Sequence, residues 1–284
     1  MRFTKLHSLG NDFLVNCRGE EIPADHLPEF VRRICDRHTG VGADGFLLVR
    51  PVHGSREEFD FRIFNADGSE AEISGNGLRC ALACMIHHGG AGDGRVLFRT
   101  SAGDRTCEPV ESAGRRFVIK IQMGTPRLDS DSIPFDDGQA HERIIDYPLS
   151  INRRVHEITC VSMGNAHCDI FVERFPARIE WHQVGAEIES HPFFPKRTNV
   201  EFVRVVDRGR IEVLFWERGV GETMSSGTGS CAAAVAAMLK GLTDRTVQVE
   251  TSLGTFTVEW PLDGPVYQTG PAEVVFEGDY LAEP

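Results

Sequence analysis

Four landmarks recur in this chain, in one order and at nearly one spacing. Ser8-Leu9-Gly10-Asn11 returns as Ser162-Met163-Gly164-Asn165, 154 residues on. The segment His38 to Val49, which leads into a strand-like run, returns as His191 to Val203, 153 to 154 on. Ser74-Gly75-Asn76-Gly77 returns as Ser226-Gly227-Thr228-Gly229, 152 on, and Thr100-Ser101-Ala102-Gly103 as Thr251-Ser252-Leu253-Gly254, 151 on. Each landmark is short, but constant order at near-constant offset is the mark of a duplication. The chain therefore reads as two homologous halves of about 130 residues, an ordinary domain size. The N-terminal domain is expected over 1–125, completed by a C-terminal strand over 272–284, and the C-terminal domain over 126–271. The stretch Pro126 to Gly138, rich in Pro, Asp and Ser, marks the joint.

Short β-runs outnumber helices. Phe117 to Met123, Arg245 to Thr251 and Thr255 to Trp260 carry the branched and aromatic residues of strands. Each half has one long helix, opening at its Ser-Gly-x-Gly turn. In the second half a strand-like run, Ile211 to Trp216, passes through a Gly-rich turn into Ala232 to Leu239, a strong helix former closed by Gly241. Shorter helices are expected near Pro28 to His38 and Arg178 to Ser190. The predicted fold is α+β, with two pseudo-symmetric domains, each a strand-rich sheet wrapped around a central helix that buries its apolar faces.

A net charge of −12 without a long basic run argues against nucleic acid or an anionic membrane surface as a partner. The opening residues Met1 to His7 read as a strand and lack the apolar core of a signal peptide, and the most apolar run is too short to span a bilayer. The eight cysteines form no CxxC pair, so free thiols in a cytoplasmic protein are expected. Cys80, Cys84, His87 and His88 come within reach of one helix face. Half-buried cysteines on an amphipathic helix commonly give that spacing, and no metal site is expected.

Ser74 and Ser226 stand at helix starts, where a hydroxyl caps and free backbone N–H groups favour an anion. Capping alone would account for both. If the halves face each other, two helix N-termini aim at one small anionic group. Paired groups on opposite sides of one carbon suit inversion, one removing a proton and the other delivering one. No cofactor-binding lysine or metal cluster is evident, so the expected chemistry uses no cofactor. Neither glycine turn has the Lys-Ser/Thr of a phosphate-binding loop or the spacing of a dinucleotide fingerprint.

These residues carry a resemblance. His7-Ser8-Leu9-Gly10-Asn11-Asp12-Phe13, Asp36-Arg37-His38, Gly42-Ala43-Asp44-Gly45 and Phe64-Asn65-Ala66-Asp67-Gly68-Ser69-Glu70 are similar to diaminopimelate epimerases. So are Ser162-Met163-Gly164-Asn165-Ala166-His167, Arg197-Thr198-Asn199-Val200-Glu201-Phe202 and Glu217-Arg218-Gly219-Val220-Gly221-Glu222-Thr223. The resemblance spans essentially the whole chain. It implies interconversion of LL- and meso-2,6-diaminopimelate by two-base proton transfer, on the route to lysine and peptidoglycan precursors. It also implies a small amino-acid substrate and a homodimer. Asn11, Asn65, Asn165, Asn199, Glu217 and Arg218 would recognise the substrate, and Gly75, Asn76, Gly227 and Thr228 would present backbone groups to its reacting carboxylate. His167 and Glu217 match a polar pair that tunes the catalytic thiols.

One departure matters. The family catalyses with two cysteines, one directly before Gly-Asn-Gly and one directly before Gly-Thr-Gly. Here Ser74 and Ser226 stand at those catalytic positions. Cys80 and Cys231 lie further along the helices and should point elsewhere. A thiol titrates near pH ~8.5 and lower at a helix N-terminus, whereas a serine hydroxyl needs an activating base. Three readings stay open: a hydroxyl-based epimerase; a relative, natural or engineered from cysteine to serine, that binds an amino acid without epimerising it; or an isomerase of the superfamily using a carboxylate such as Glu70, Glu72 or Glu222.

Overall fold

A computed structural model describes residues 1–18, 22–23, 25–92, 94–262 and 264–281. Residues 282–284 of the expected C-terminal strand lie outside the described residues. The chain divides into two compact units, Met1–Gln122 with Thr269–Pro284, and Met123–Gln268.

The first unit contains β1 (Arg2–Ser8), β2 (Asn11–Asn16), α1 (Leu27–Cys35), β3 (Gly45–Pro51), β4 (Glu58–Asn65), β5 (Glu70–Ala71), α2 (Gly75–His87), β6 (Val96–Arg99), β7 (Arg105–Ala113) and β8 (Arg116–Gly124). The second contains β9 (Ile144–Ile151), β10 (Arg154–Ser162), β11 (Ala166–Phe171), α3 (Arg178–Glu189), β12 (Asn199–Asp207), β13 (Arg210–Glu217), β14 (Gly221–Thr223), α4 (Gly227–Leu239), β15 (Thr246–Thr251) and β16 (Gly254–Glu259). β17 (Val266–Asp279) begins in the second unit and ends in the first.

The duplication is written into strand pairing. β1–β2 is antiparallel, β2–β3 parallel, β3–β4 antiparallel and β4–β6 parallel. β10–β11, β11–β12, β12–β13 and β13–β15 repeat that series. Even the registers correspond. Phe13 opposite Gly45 becomes His167 opposite Asn199, each 154 residues later. Leu47 opposite Ile63 becomes Glu201 opposite Phe215, at 154 and 152. Two units that share topology and register at the sequence offsets are homologous, and the α+β reading holds.

In the first unit β7–β8 pairing and the pairing of β17 with both β8 and β1 close a ring of β1, β2, β3, β4, β6, β7, β8 and β17. α2 packs against β1, β2, β3 and β7 and is buried from Gly75 to Met85. α4 packs against β10, β11, β12, β13, β15 and β16, and is buried from Gly229 to Met238. On a helix enclosed on every side an apolar surface costs least, and the helix must be slim where strands press close. The run Ala232-Ala233-Ala234-Val235-Ala236-Ala237 meets both demands. α1 is amphipathic instead, burying Leu27, Val31, Ile34 and Cys35 against Phe3, Leu14, Phe46 and Phe64. No helix is long and apolar enough to cross a membrane among the described residues.

Candidate functional site

Both serines cap their helices. The Ser74 backbone is extended (φ −144°, ψ 123°) and its Oγ accepts from Gly77 N at 3.1 Å. Ser226 is extended likewise (φ −134°, ψ 127°) and accepts from Gly229 N at 3.3 Å. An N-cap of this kind is worth about 1 kcal/mol. Among the described residues no carboxylate or imidazole hydrogen-bonds either hydroxyl. Cys80 and Cys231 are fully buried on the helices behind them.

At the α2 turn, Asn76 is buried and donates Nδ2–H to Asn11 Oδ1 at 3.2 Å. Asn11 donates to Asp44 Oδ2 at 2.9 Å. Behind them lies Arg79, also fully buried, which donates to Ser8 Oγ at 3.0 Å and to Asn76 Oδ1 at 2.5 Å. Leu9 and Gly10, both at positive φ, form the two-residue hairpin turn that holds Ser8 opposite Asn11. Asp12 beside them is pushed up by burial but more strongly held down by Arg37 and Lys5, to about 2. Asn65 is exposed and donates to Ser69 Oγ at 3.0 Å. Gly75 is buried at the first helical position.

The α4 turn is built differently. Asn199 is buried, donating Nδ2–H to Ala166 O at 2.8 Å and accepting from Arg218 N at 3.0 Å. Arg218 is exposed and reaches Lys196 O. Glu217 accepts from Thr223 Oγ1 at 3.1 Å. The first helical residue, Gly227, has its carbonyl held by Gln268 Nε2 at 2.9 Å. Thr228 Oγ1 accepts from Asn165 Nδ2 at 3.4 Å.

Behind this turn runs a buried polar chain. His167 Nδ1 lies 2.8 Å from Glu201 Oε1, and its Nε2 lies 3.0 Å from Asn165 Oδ1. Burial drives the imidazole down to about 3, so the ring is neutral. Burial and the charge of Glu217 drive the Glu201 carboxyl well above the usual range, so it carries its proton. The proton positions follow: Glu201 donates to Nδ1, Nε2–H donates to Asn165 Oδ1, and Asn165 donates onward to Thr228. Asp169, directly across from Glu201 in the β11–β12 register, is fully buried with neither oxygen hydrogen-bonded. Burial raises its carboxyl as well, and ionising Glu201 beside it would raise it further.

The charge of Glu217 acts on the His167 ring, while the ring's hydrogen-bond partners are Glu201 and Asn165. Glu201, Asp169 and Arg79 are not among the expected site residues. The available signal was a charged residue inside an apolar strand, as in Cys168-Asp169-Ile170 and Val200-Glu201-Phe202. Glu70 and Glu222, weighed as bases, are engaged elsewhere. Arg62 donates to Glu70 at 2.7 and 2.8 Å, and Arg178 to Glu222 at 2.9 Å. These guanidinium bonds hold both carboxyls below their ordinary range.

The family described as diaminopimelate epimerase matches residues 3–128 and 159–275. The chain belongs to the diaminopimelate epimerase family. It is 44% identical over 281 residues to the diaminopimelate epimerase of Pelotomaculum thermopropionicum, covering 99% of each chain. It is 44% identical over 283 residues to that of Moorella thermoacetica, again covering 99% of each. Among solved structures, a predicted epimerase from Pseudomonas aeruginosa superposes with a TM-score of 0.69 at 16% identity, covering 99% of both chains. A hydroxyproline epimerase from Agrobacterium vitis superposes at 0.68 and 16%, covering 98% of this chain and 91% of that one. At that identity these two share the fold of this diaminopimelate epimerase family member.

Proposed function

We propose that this chain is a diaminopimelate epimerase, an isomerase that interconverts the LL and meso forms of its substrate by proton transfer without a cofactor. The observation that carries the reading is full-length identity of 44% to proteins of that name. By likeness to the family, Gly75, Asn76, Gly227 and Thr228 present backbone groups to the reacting α-carboxylate, and a helix N-terminus favours the charge that develops on it. Asn11, Asn65, Asn165, Asn199, Glu217 and Arg218 recognise the remaining polar groups. Ser74 and Ser226 stand where proton donor and acceptor belong, and His167 orients Asn165. The setting is cytoplasmic lysine and peptidoglycan precursor synthesis, in a homodimer; sedimentation of the purified chain measures the latter.

One observation favours a second reading, binding with little turnover. Each serine oxygen already accepts a backbone N–H, and among the described residues neither is hydrogen-bonded to a base. Positioned acid–base groups supply about 10²- to 10⁴-fold, so exchange by the serine form should be slower than by a cysteine form by about that factor. The test follows α-deuterium incorporation into LL-diaminopimelate in deuterated water. Ser74→Cys/Ser226→Cys is expected to exchange on the order of a thousand-fold faster than the serine chain. If the double cysteine variant neither binds nor exchanges the compound, the substrate is wrong. If the serine chain matches it, the hydroxyls act unaided and the second reading falls.

A further inference from the structure

Cys17, Cys84 and His88 converge within the first unit. Cys17 follows β2, while Cys84 and His88 are four residues apart on α2 and its C-cap and so share one helix face. The two Sγ atoms are 3.1 Å apart, and the three ligand atoms all lie within 4.8 Å of one another. The expected helix-face set is thereby corrected. Cys80 is turned into the core, and His87 faces Glu277 at 3.2 Å, leaving Cys17 from another element to complete the group.

We propose that Cys17, Cys84 and His88 form a binding site for a thiophilic cation of the zinc class. Two sulfurs and an imidazole nitrogen are a soft to borderline donor set, suited to zinc and unsuited to calcium or magnesium. Three protein donors leave a fourth tetrahedral position for water. A cleft of about 370 Å³, lined in part by Cys17, Arg18, Met85 and His88, reaches two of the three donor residues and would give a cation its path. Arg18 at Nδ1 fixes the tautomer of the His88 ring. Its Nε2–H donates to Thr4 Oγ1 at 2.8 Å, which leaves the Nδ1 lone pair facing Arg18. Thr4 thus plays the outer partner that metal-bound histidines commonly have. On binding, both thiols release their protons to solvent, and two thiolates balance the dication. Arg18 yields its place at Nδ1. Its guanidinium already lies 3.9 Å from the Glu277 carboxylate, which offers it an alternative seat.

The site is tested on the reduced, chelator-stripped chain, titrated with cobalt(II) under nitrogen. One equivalent should raise a thiolate-to-metal charge-transfer band in the near ultraviolet, and zinc should abolish it. Cys17→Ser should lose at least half of the band. Thr4→Val, a near-isosteric change that leaves all three ligands, should weaken cobalt binding about ten-fold. Because Cys84 is buried, circular dichroism of each variant is recorded beside the titration, and Thr4→Val carries the test if a cysteine variant unfolds. Absence of the band in the parent chain overturns the proposal, as does a band unchanged in Cys17→Ser. So does a reduced chain that takes up no cobalt and only closes a Cys17–Cys84 disulfide in air.

Discussion

At the scale of single residues, a serine can serve two masters at a helix start. Ser74 and Ser226 cap α2 and α4, and the proposed function puts the proton-transfer groups at the same two oxygens. The cap contributes to stability whether or not chemistry occurs. Ser226→Ala is therefore expected to lower unfolding free energy by about 1 kcal/mol in urea titrations, even in the absence of substrate. An unchanged midpoint would mean that the Gly229 N–H finds another acceptor. The capping role was legible in Ser-Gly-x-Gly, because caps are local. What kept each hydroxyl from a base was not legible, since it depends on residues that arrive from distant strands.

At the scale of elements, the two halves use one topology with different interiors. His167, Asp169 and Glu201 occupy the positions that Phe13, Val15 and Leu47 hold in the first unit, each 154 residues earlier. One central helix is backed by apolar side chains and the other by a buried acid pair and an imidazole. Glycine shows the consequence. A Cβ on Gly229 would meet Glu201 Oε1 at 2.6 Å and Phe215 at 3.0 Å, whereas one on Gly77 would meet nothing closer than 3.3 Å. Gly229→Ala should cost about 1–3 kcal/mol by overpacking, and Gly77→Ala clearly less, in matched thermal melts. Equal costs would mean that the Glu201 side chain withdraws freely.

The same acid pair ties stability to pH. Asp169 and Glu201 are raised in the folded state, which retains protons that the unfolded chain releases above pH ~4. Their stabilisation is complete below that range and is lost as pH rises. His167 acts in the opposite sense. Its folded value of about 3 lies below the unfolded one, so it costs stability under acid conditions and falls silent above pH ~6.5. Above pH ~6.5, where His167 is silent, stability should fall by up to about 1.4 kcal/mol per pH unit for each of the two acids still protonated in the folded chain. Asp169→Asn should flatten that fall in urea titrations across that range. An unaltered slope would show that Asp169 is ionised in the native protein.

At the scale of the whole molecule, a ligand that binds only the folded chain stabilises it by mass action, by about 2.7 kcal/mol at a hundred times its Kd. LL-diaminopimelate should accordingly raise the melting temperature of the serine chain, and ATP and NAD should leave it unmoved. A shift with the nucleotides alone would reassign the glycine turns. The duplication, the α+β class, the family and the helix starts could all be read from the order of residues. Those features rest on glycines, caps and turn residues, whose backbone demands are local and so survive as readable spacing. Packing alone settled that His167 meets Glu201, that Asp169 lies beside them, that Arg79 backs Asn76, and that Cys17 meets Cys84. Most of those pairs join elements far apart in the chain, and their contact follows from strand order and register. So the turn that ends in Ser226 was visible from its own residues, while the buried acids that set its surroundings emerged only once β11, β12 and α4 were packed together.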